Sequence, residues 1–172
     1  MSSCRQRLLV ALYLGSVVSA NLAVAAFGPV AVAPSSFLLV GLDLTARDLL
    51  HDAWSGRGLV PRLGVLIGAG AALSFALNRS AGRIALASFV AFTLAAIVDA
   101  LVYEGLRSSV TLVRVNVSNL GSAVMDSMVF PTIAFGTLLP SVIAGQLVAK
   151  VAGGMIWSLL LLRITRGRGT QG

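Results

Sequence analysis

Apolar runs of about 20 residues follow one another along the chain, each cut off by a short cluster of Gly, Pro, Asn, Ser or charge. A run of that length is what an α-helix needs to cross the hydrocarbon core of a bilayer. Six such segments can be drawn, over 8–27, 35–53, 59–77, 84–105, 112–136 and 141–164. The breaks read "FGPVAVAP", "WSGRG", "NRSAGR", "EGLRSS" and "GTLLP", and Gly, Pro and Asn in such clusters punctuate helices. The expected fold is all-α, a polytopic membrane protein with six transmembrane helices in a single domain.

Composition agrees with that reading. Of 172 residues, 57% are hydrophobic and 11% charged, and a mean hydropathy of +0.93 leaves little for a wetted surface. The segments use up nearly the whole chain, and residues 165–172 are expected to form a basic cytoplasmic tail. Cys4 is the single cysteine, so neither an intrachain disulfide nor a cysteine metal cluster is available. A net charge of +7 would suggest nucleic acid in a soluble domain, but here the basic residues are scattered between apolar runs. That is the pattern of loops facing an anionic leaflet.

Cytoplasmic loops retain Lys and Arg, which orients the chain. With both termini inside, that side collects Arg5, Arg7, Arg57, Arg62, Arg107, Arg114, Arg163, Arg166 and Arg168, with Arg47 close by. The other side receives Arg79 and Arg83. The first segment also has features of a secretory signal, but its apolar stretch is longer than a signal needs and Asn21 interrupts it. It is expected to remain as a helix.

Ionisable groups are costly inside a bilayer, about 2.5–3.5 kcal/mol each at a helix centre, and they normally face a partner or a cavity. In "GLDLTARDLLHDAWSG" Asp43 and Arg47 stand one helical turn apart and are expected to neutralise each other, which leaves Asp48 to face the interior. His51, the lone histidine, is expected at the interface, since metal chemistry lacks a second ligand of its kind. Asp99 lies one turn from Tyr103, while Glu104 and Arg107 read as a solvated pair. In the fifth segment Asn119, Ser122 and Asp126 fall on one helical stripe, followed by Ser127. In the sixth, Gln146, Lys150, Gly153 and Trp157 follow helical spacing. Asp126 and Lys150 are either a buried pair or two ligands of one site. Gly64, Gly68 and Ala72 form a small-residue face that is expected to pack the third segment inside the bundle.

The chain has no P-loop, no G-x-S-x-G, no H-E-x-x-H and no Cys/His metal set. It is therefore read as no enzyme, with no cofactor and no metal. The string "DLTAR" lacks the glycine after the first Asp and the downstream acidic spacing of a phosphatidyltransferase motif.

The strings "DALVYEGLR", "VSNLGSAVMDSMVF", "AFG" and "GQLVAK", with "SANL" and "RDLLHDAW" earlier, resemble the VUT family. These are six-helix bacterial membrane proteins regarded as transporters of queuosine precursors. The resemblance implies uptake of a 7-deazaguanine base, such as 7-cyano-7-deazaguanine, across the bacterial inner membrane. It places the polar positions of the family on Asn21, Asp48, Asp99, Asn119, Asp126, Ser127, Gln146 and Lys150. The second segment departs from one common form of the family: His51 and Asp52 stand where many relatives have Asn and Glu, and Gly56 comes one residue late. Under this reading Asp126 or Asp99 receives paired N–H groups of the base, Asn119 and Gln146 meet its remaining edge, and Trp157 or Phe130 covers a ring face. The expected mechanism is alternating access, and the partners are the base and membrane lipid, with no nucleic acid. Two alternatives stay open: a substrate-capturing subunit of an energy-coupling-factor importer, and a helical membrane protein that transports nothing.

Overall fold

A computed structural model of the chain describes residues 3–54 and 59–166, and every regular element among them is helical. Helix α1 covers Ser3–Phe27. A 3-10 turn at Gly28–Ala31 leads into a short α2, Val32–Ser35, which continues through a π-helical turn at Ser36–Val40 into α3, Gly41–Ala53. Val32, Ser36 and Gly41 all keep right-handed helical angles, so α2, the π turn and α3 make one rod. After it come α4, Leu59–Leu77, a 3-10 turn at Arg79–Ala81, and α5, Gly82–Gly105. The chain then forms α6, Thr111–Phe135, and α7, Pro140–Arg166. At 1.5 Å per residue, the 25 residues of α1 or α6 span about 37 Å. The rod expected over 35–53 begins three residues earlier, because the break "FGPVAVAP" resumes helical geometry at Val32.

Local chemistry sets the ends. The Asn78 side chain accepts from the Ser80 backbone N–H at 3.0 Å and from the Ser80 hydroxyl at 2.6 Å, which turns the chain between α4 and α5. At the end of α6, Gly136 takes φ +74°, and its N–H donates to the Thr132 carbonyl at 2.9 Å. Left-handed glycine is the usual way for a helix to stop. Arg83 reaches across from α5, its Nε donating to the Ile133 carbonyl at 2.9 Å. That carbonyl lies in the last turn of α6, where no helical N–H follows to meet it. Pro131 sits fully buried inside α6 and withholds an N–H from the Ser127 carbonyl four residues earlier.

Two apolar clusters hold the rods together. Leu9, Tyr13, Val17, Ala46, Leu50, Leu66, Ile67 and Phe92 form one, where α1, α3 and α4 meet. The other joins Val24, Val32, Ile84, Ala87, Ala91, Phe130 and Ala134 near the Gly136 turn. Because α1 runs from Leu9 in the first to Val24 in the second, the level of Asn21 lies between them. Helix α5 packs most extensively on α6, with Gly121 lying beside Val98 and Val102.

The outside of this bundle is apolar and part of its inside is polar. On α6, Val113, Val117, Leu120, Val124 and Met128 are exposed in a helical stripe, while Ser118, Ser122, Asp126 and Ser127 are buried. On α7, Val148, Val151 and Met155 face out while Gln146 and Lys150 are buried. Water would favour the reverse arrangement, and a lipid surround explains this one. By length and composition, two stretches among the described residues suffice to cross a membrane, Gln6–Arg47 and Arg79–Gly105, and Pro61–Leu77 is a shorter apolar helix. Helices α6 and α7 are diluted by the polar residues they turn inward.

One packing expectation is corrected. A Cβ added at Gly64 or Gly68 would meet nothing within 4 Å, and Ala72 is exposed, so that small-residue face points outward. The close approach is at Gly70, where a Cβ would stand 3.0 Å from Val17 Cγ1. Glycine spacing identified a smooth face but not which neighbour would use it.

The α6 end yields a stability prediction. Gly136→Ala places a Cβ in left-handed geometry and 2.7 Å from Arg83 Nη2, which should destabilise the protein by about 1–2 kcal/mol. A lowered thermal midpoint in detergent, relative to wild type, is the expected measurement.

A polar cleft between two apolar clusters

The middle of the bundle holds a small, partly open cleft. Helix α1 contributes Asn21, the π-turn rod Ser35, Ser36 and Val40, α5 Ser88 and Phe92, α6 Asp126 and Phe130, and α7 Gln146 and Lys150. Five rods thus bring polar side chains or ring faces to one place.

Asn21 is the best satisfied of them. Its Nδ2 donates to Ser74 Oγ at 3.0 Å, and its Oδ1 accepts from the Ser88 hydroxyl at 2.5 Å. The Ser74 hydroxyl in turn donates to the Gly70 carbonyl at 2.8 Å, so the proton directions are mutually consistent. One amide therefore ties α1 to α4 and α5. A buried amide without such partners would be costly, and the two serines remove most of that cost.

Lys150 and Asp126 form an ion pair between α7 and α6, with both side chains almost fully enclosed. Burial of either charge alone would carry a desolvation penalty of several kcal/mol. The pair is incomplete, however, because Asp126 Oδ1 has no hydrogen-bond partner within the protein. Gln146 Oε1, one turn before Lys150 on α7, has none either. Both atoms are acceptors, and they belong to residues lining the same cleft. Lys150 Nζ and the Ser127 hydroxyl also lack a hydrogen bond, so the site has unmet donors as well as the acceptor capacity that N–H or O–H groups of a ligand could fill.

The eight residues singled out by the sequence separate clearly. Asn21, Asp126, Gln146 and Lys150 line the cleft. Ser127 is fully buried beside it, its hydroxyl without a partner, on the turn of α6 that Pro131 interrupts. Asp48 lies on α3, with its side chain outside the described residues, as are those of His51 and Asp52. Asp99 is half-buried on α5 away from the cleft, its Oδ1 enclosed without a partner. Asn119 is exposed and not a cleft residue. The stripe read as Asn119, Ser122, Asp126 is, in the structure, Ser118, Ser122, Asp126. At the Asn119 level α6 leans on α5 through Gly121, and the helical angle alone does not supply a third helix to cover an amide there.

Phe130 lines the cleft, and Trp157 does not. Its Nε1 donates instead to the Leu38 carbonyl at 2.9 Å. Asp43 is buried on α3 with Arg47 one turn on and half-buried. Arg107 and Glu104 pair at 2.9 Å in the open, the solvated feature their sequence suggested. Ser35, Ser36, Ser74, Ser88 and Phe92 went unread. Asn21 does demand partners at both ends of its amide, but serines that can bond their own helix backbone carry no mark telling which would answer.

A polar cleft surrounded by helices with apolar outer faces is the mark of a helical membrane protein. The chain belongs to the family described as "Putative vitamin uptake transporter", whose model matches residues 8–164. Searches of the curated proteins and of the solved structures gave no match.

The ion pair is open to a direct test. Lys150→Met leaves a buried carboxylate unpaired and should cost about 3–5 kcal/mol. Combining it with Asp126→Leu removes both charges and should recover most of that loss. Denaturant unfolding of the two single variants and the double in detergent measures the difference.

Proposed function

We propose that the protein imports a planar, donor-rich heterocycle, a 7-deazaguanine base of the queuosine-precursor type, by alternating access around the cleft. The observation that carries this reading is the pair of unpartnered acceptors, Asp126 Oδ1 and Gln146 Oε1, in one cleft. A guanine-like edge offers adjacent N–H donors that suit a carboxylate and a neighbouring amide oxygen. Phe92 and Phe130, from the neighbouring helices α5 and α6, supply apolar cover for a ring. The uptake description of the family is consistent with this direction of transport.

In this reading all six rods cross the bacterial inner membrane, with both termini in the cytoplasm. Lys and Arg outside the bundle core favour that orientation. Arg83, one of the two exceptions, is engaged with the Ile133 carbonyl and acts as a helix cap rather than a loop charge. The midway position of the cleft suits rocking of one group of helices against another. A reporter fused to the C-terminus should be active in the cytoplasm and silent outside, and the opposite pattern would remove the proposed topology.

Uptake by the chain alone in proteoliposomes is the deciding experiment. Wild type should accumulate 7-cyano-7-deazaguanine, and Asp126→Asn or Gln146→Ala should lower the rate about tenfold or more, the scale of one lost charge-assisted hydrogen bond. No uptake without added membrane partners and ATP would move the assignment to a substrate-capturing subunit. Unchanged uptake in both variants would remove the cleft from the mechanism.

A further inference from the structure

The π-helical turn is the least expected element of the bundle. The Gly41 N–H donates to the Ser36 carbonyl five residues back, whereas an α-helix bonds four back. Such turns make up well under 1% of residues and often mark functional sites. The sequence there, "SFLLV", contains no proline or glycine that would force a widened turn. Something outside the segment has to hold it.

Helix α7 is what lies against it. Trp157 Nε1 donates to the Leu38 carbonyl, a group of the widened turn itself. One turn earlier on α7, Gly153 lies so close that a Cβ there would overlap the Phe37 carbonyl. Gly41, just past the turn, is equally tight: its Cβ would stand 2.7 Å from the Gly153 carbonyl carbon and 3.0 Å from the Gly154 nitrogen. Two successive carbonyls of the turn are therefore met by two successive contacts from α7, one donating a hydrogen bond and one filling the space a side chain would need.

We infer that α7 latches the π turn, and that Trp157 is a positioning residue fixing where Ser35 and Ser36 stand in the cleft wall. Relaxing the turn to α-helix would rotate the residues on one side of it by about 100° relative to the other, one residue's worth of helix. Ser35 and Ser36 would then leave the cleft, or Asp43 and Ala46 would leave the core. The same face of α7 carries Gln146 and Lys150 into the cleft and Gly153 and Trp157 onto the turn. The two walls are thereby held in one register. Trp157 does not line the cleft, so its influence runs through the turn. The effect on transport rests on the cleft being the substrate site, whereas the latch itself does not.

The test uses Trp157→Phe, which keeps the ring and removes the donor. Hydrogen–deuterium exchange in detergent should quicken about three- to tenfold across 36–42, the loss expected of one neutral hydrogen bond, with α1 and α5 unchanged. Gly153→Ala should act on the same segment in the same direction. Exchange across 36–42 that stays at the wild-type rate in both variants overturns the latch. In uptake, Trp157→Phe should raise KM several-fold with Vmax held, and combining it with Ser36→Ala should raise KM less than the product of the two single effects. A multiplicative double variant overturns the positioning role. If wild type carries no deazaguanine at all, the substrate reading fails while the exchange result still decides the latch.

Discussion

The Lys150–Asp126 ion pair ties the energetics of the bundle together. In a medium that solvates charge poorly, an ammonium and a carboxylate can be buried only against each other, and this requirement sets α6 and α7 side by side at the level of the cleft. Apolar clusters above and below then complete the enclosure, one around Val17 and Phe92, the other around Phe130 and Ala134. The Asn21 network adds a second constraint at nearly the same depth, drawing α4 and α5 onto α1. Polar interactions thus fix which helices are neighbours, while apolar contact supplies the bulk of the packing.

The helical class and the existence of a buried polar site were legible in the sequence because both follow from cost. An Asn, Asp, Gln or Lys inside an apolar run has to be accounted for by some partner, and Asn21, Asp126, Gln146 and Lys150 do line one cleft. What periodicity could not supply was the identity of the neighbour. Asn119 shares a helical stripe with Asp126, yet it is exposed among the described residues. Gly64 and Gly68 form a smooth face, yet the close contact is at Gly70. Ser74 and Ser88 are indistinguishable in sequence from serines bonded to their own helix. The π turn was invisible for a related reason: its cause lies on α7, more than a hundred residues away in sequence.

Helix α7 explains why the polar residues of the last segment are spaced as they are. In the sequence, Gln146, Lys150, Gly153 and Trp157 follow a single helical spacing. The structure divides the stripe: the first two reach the cleft, Gly153 admits the Phe37 carbonyl, and the indole donates to Leu38. A conformational step that rocks α7 would therefore carry both sets of groups together, and the cleft wall formed by Ser35 and Ser36 could not move independently of Lys150.

The ion pair also bears on whether Asp126 can serve a ligand while it holds Lys150. Its two oxygens are unequal: Oδ2 meets the ammonium, and Oδ1 has no protein partner. A ligand that donates to Oδ1 and to Gln146 Oε1 need not break the pair. A ligand that instead displaced Lys150 would have to match a buried charge-assisted contact and leave an ammonium uncompensated, a loss of several kcal/mol. Neutral donors fit the first route, whereas a cationic ligand would add a second positive charge within the same enclosed space. Under the proposed function, a neutral donor therefore suits Oδ1 better than a cation does, and the pair can go on holding α6 against α7 while the cleft is occupied.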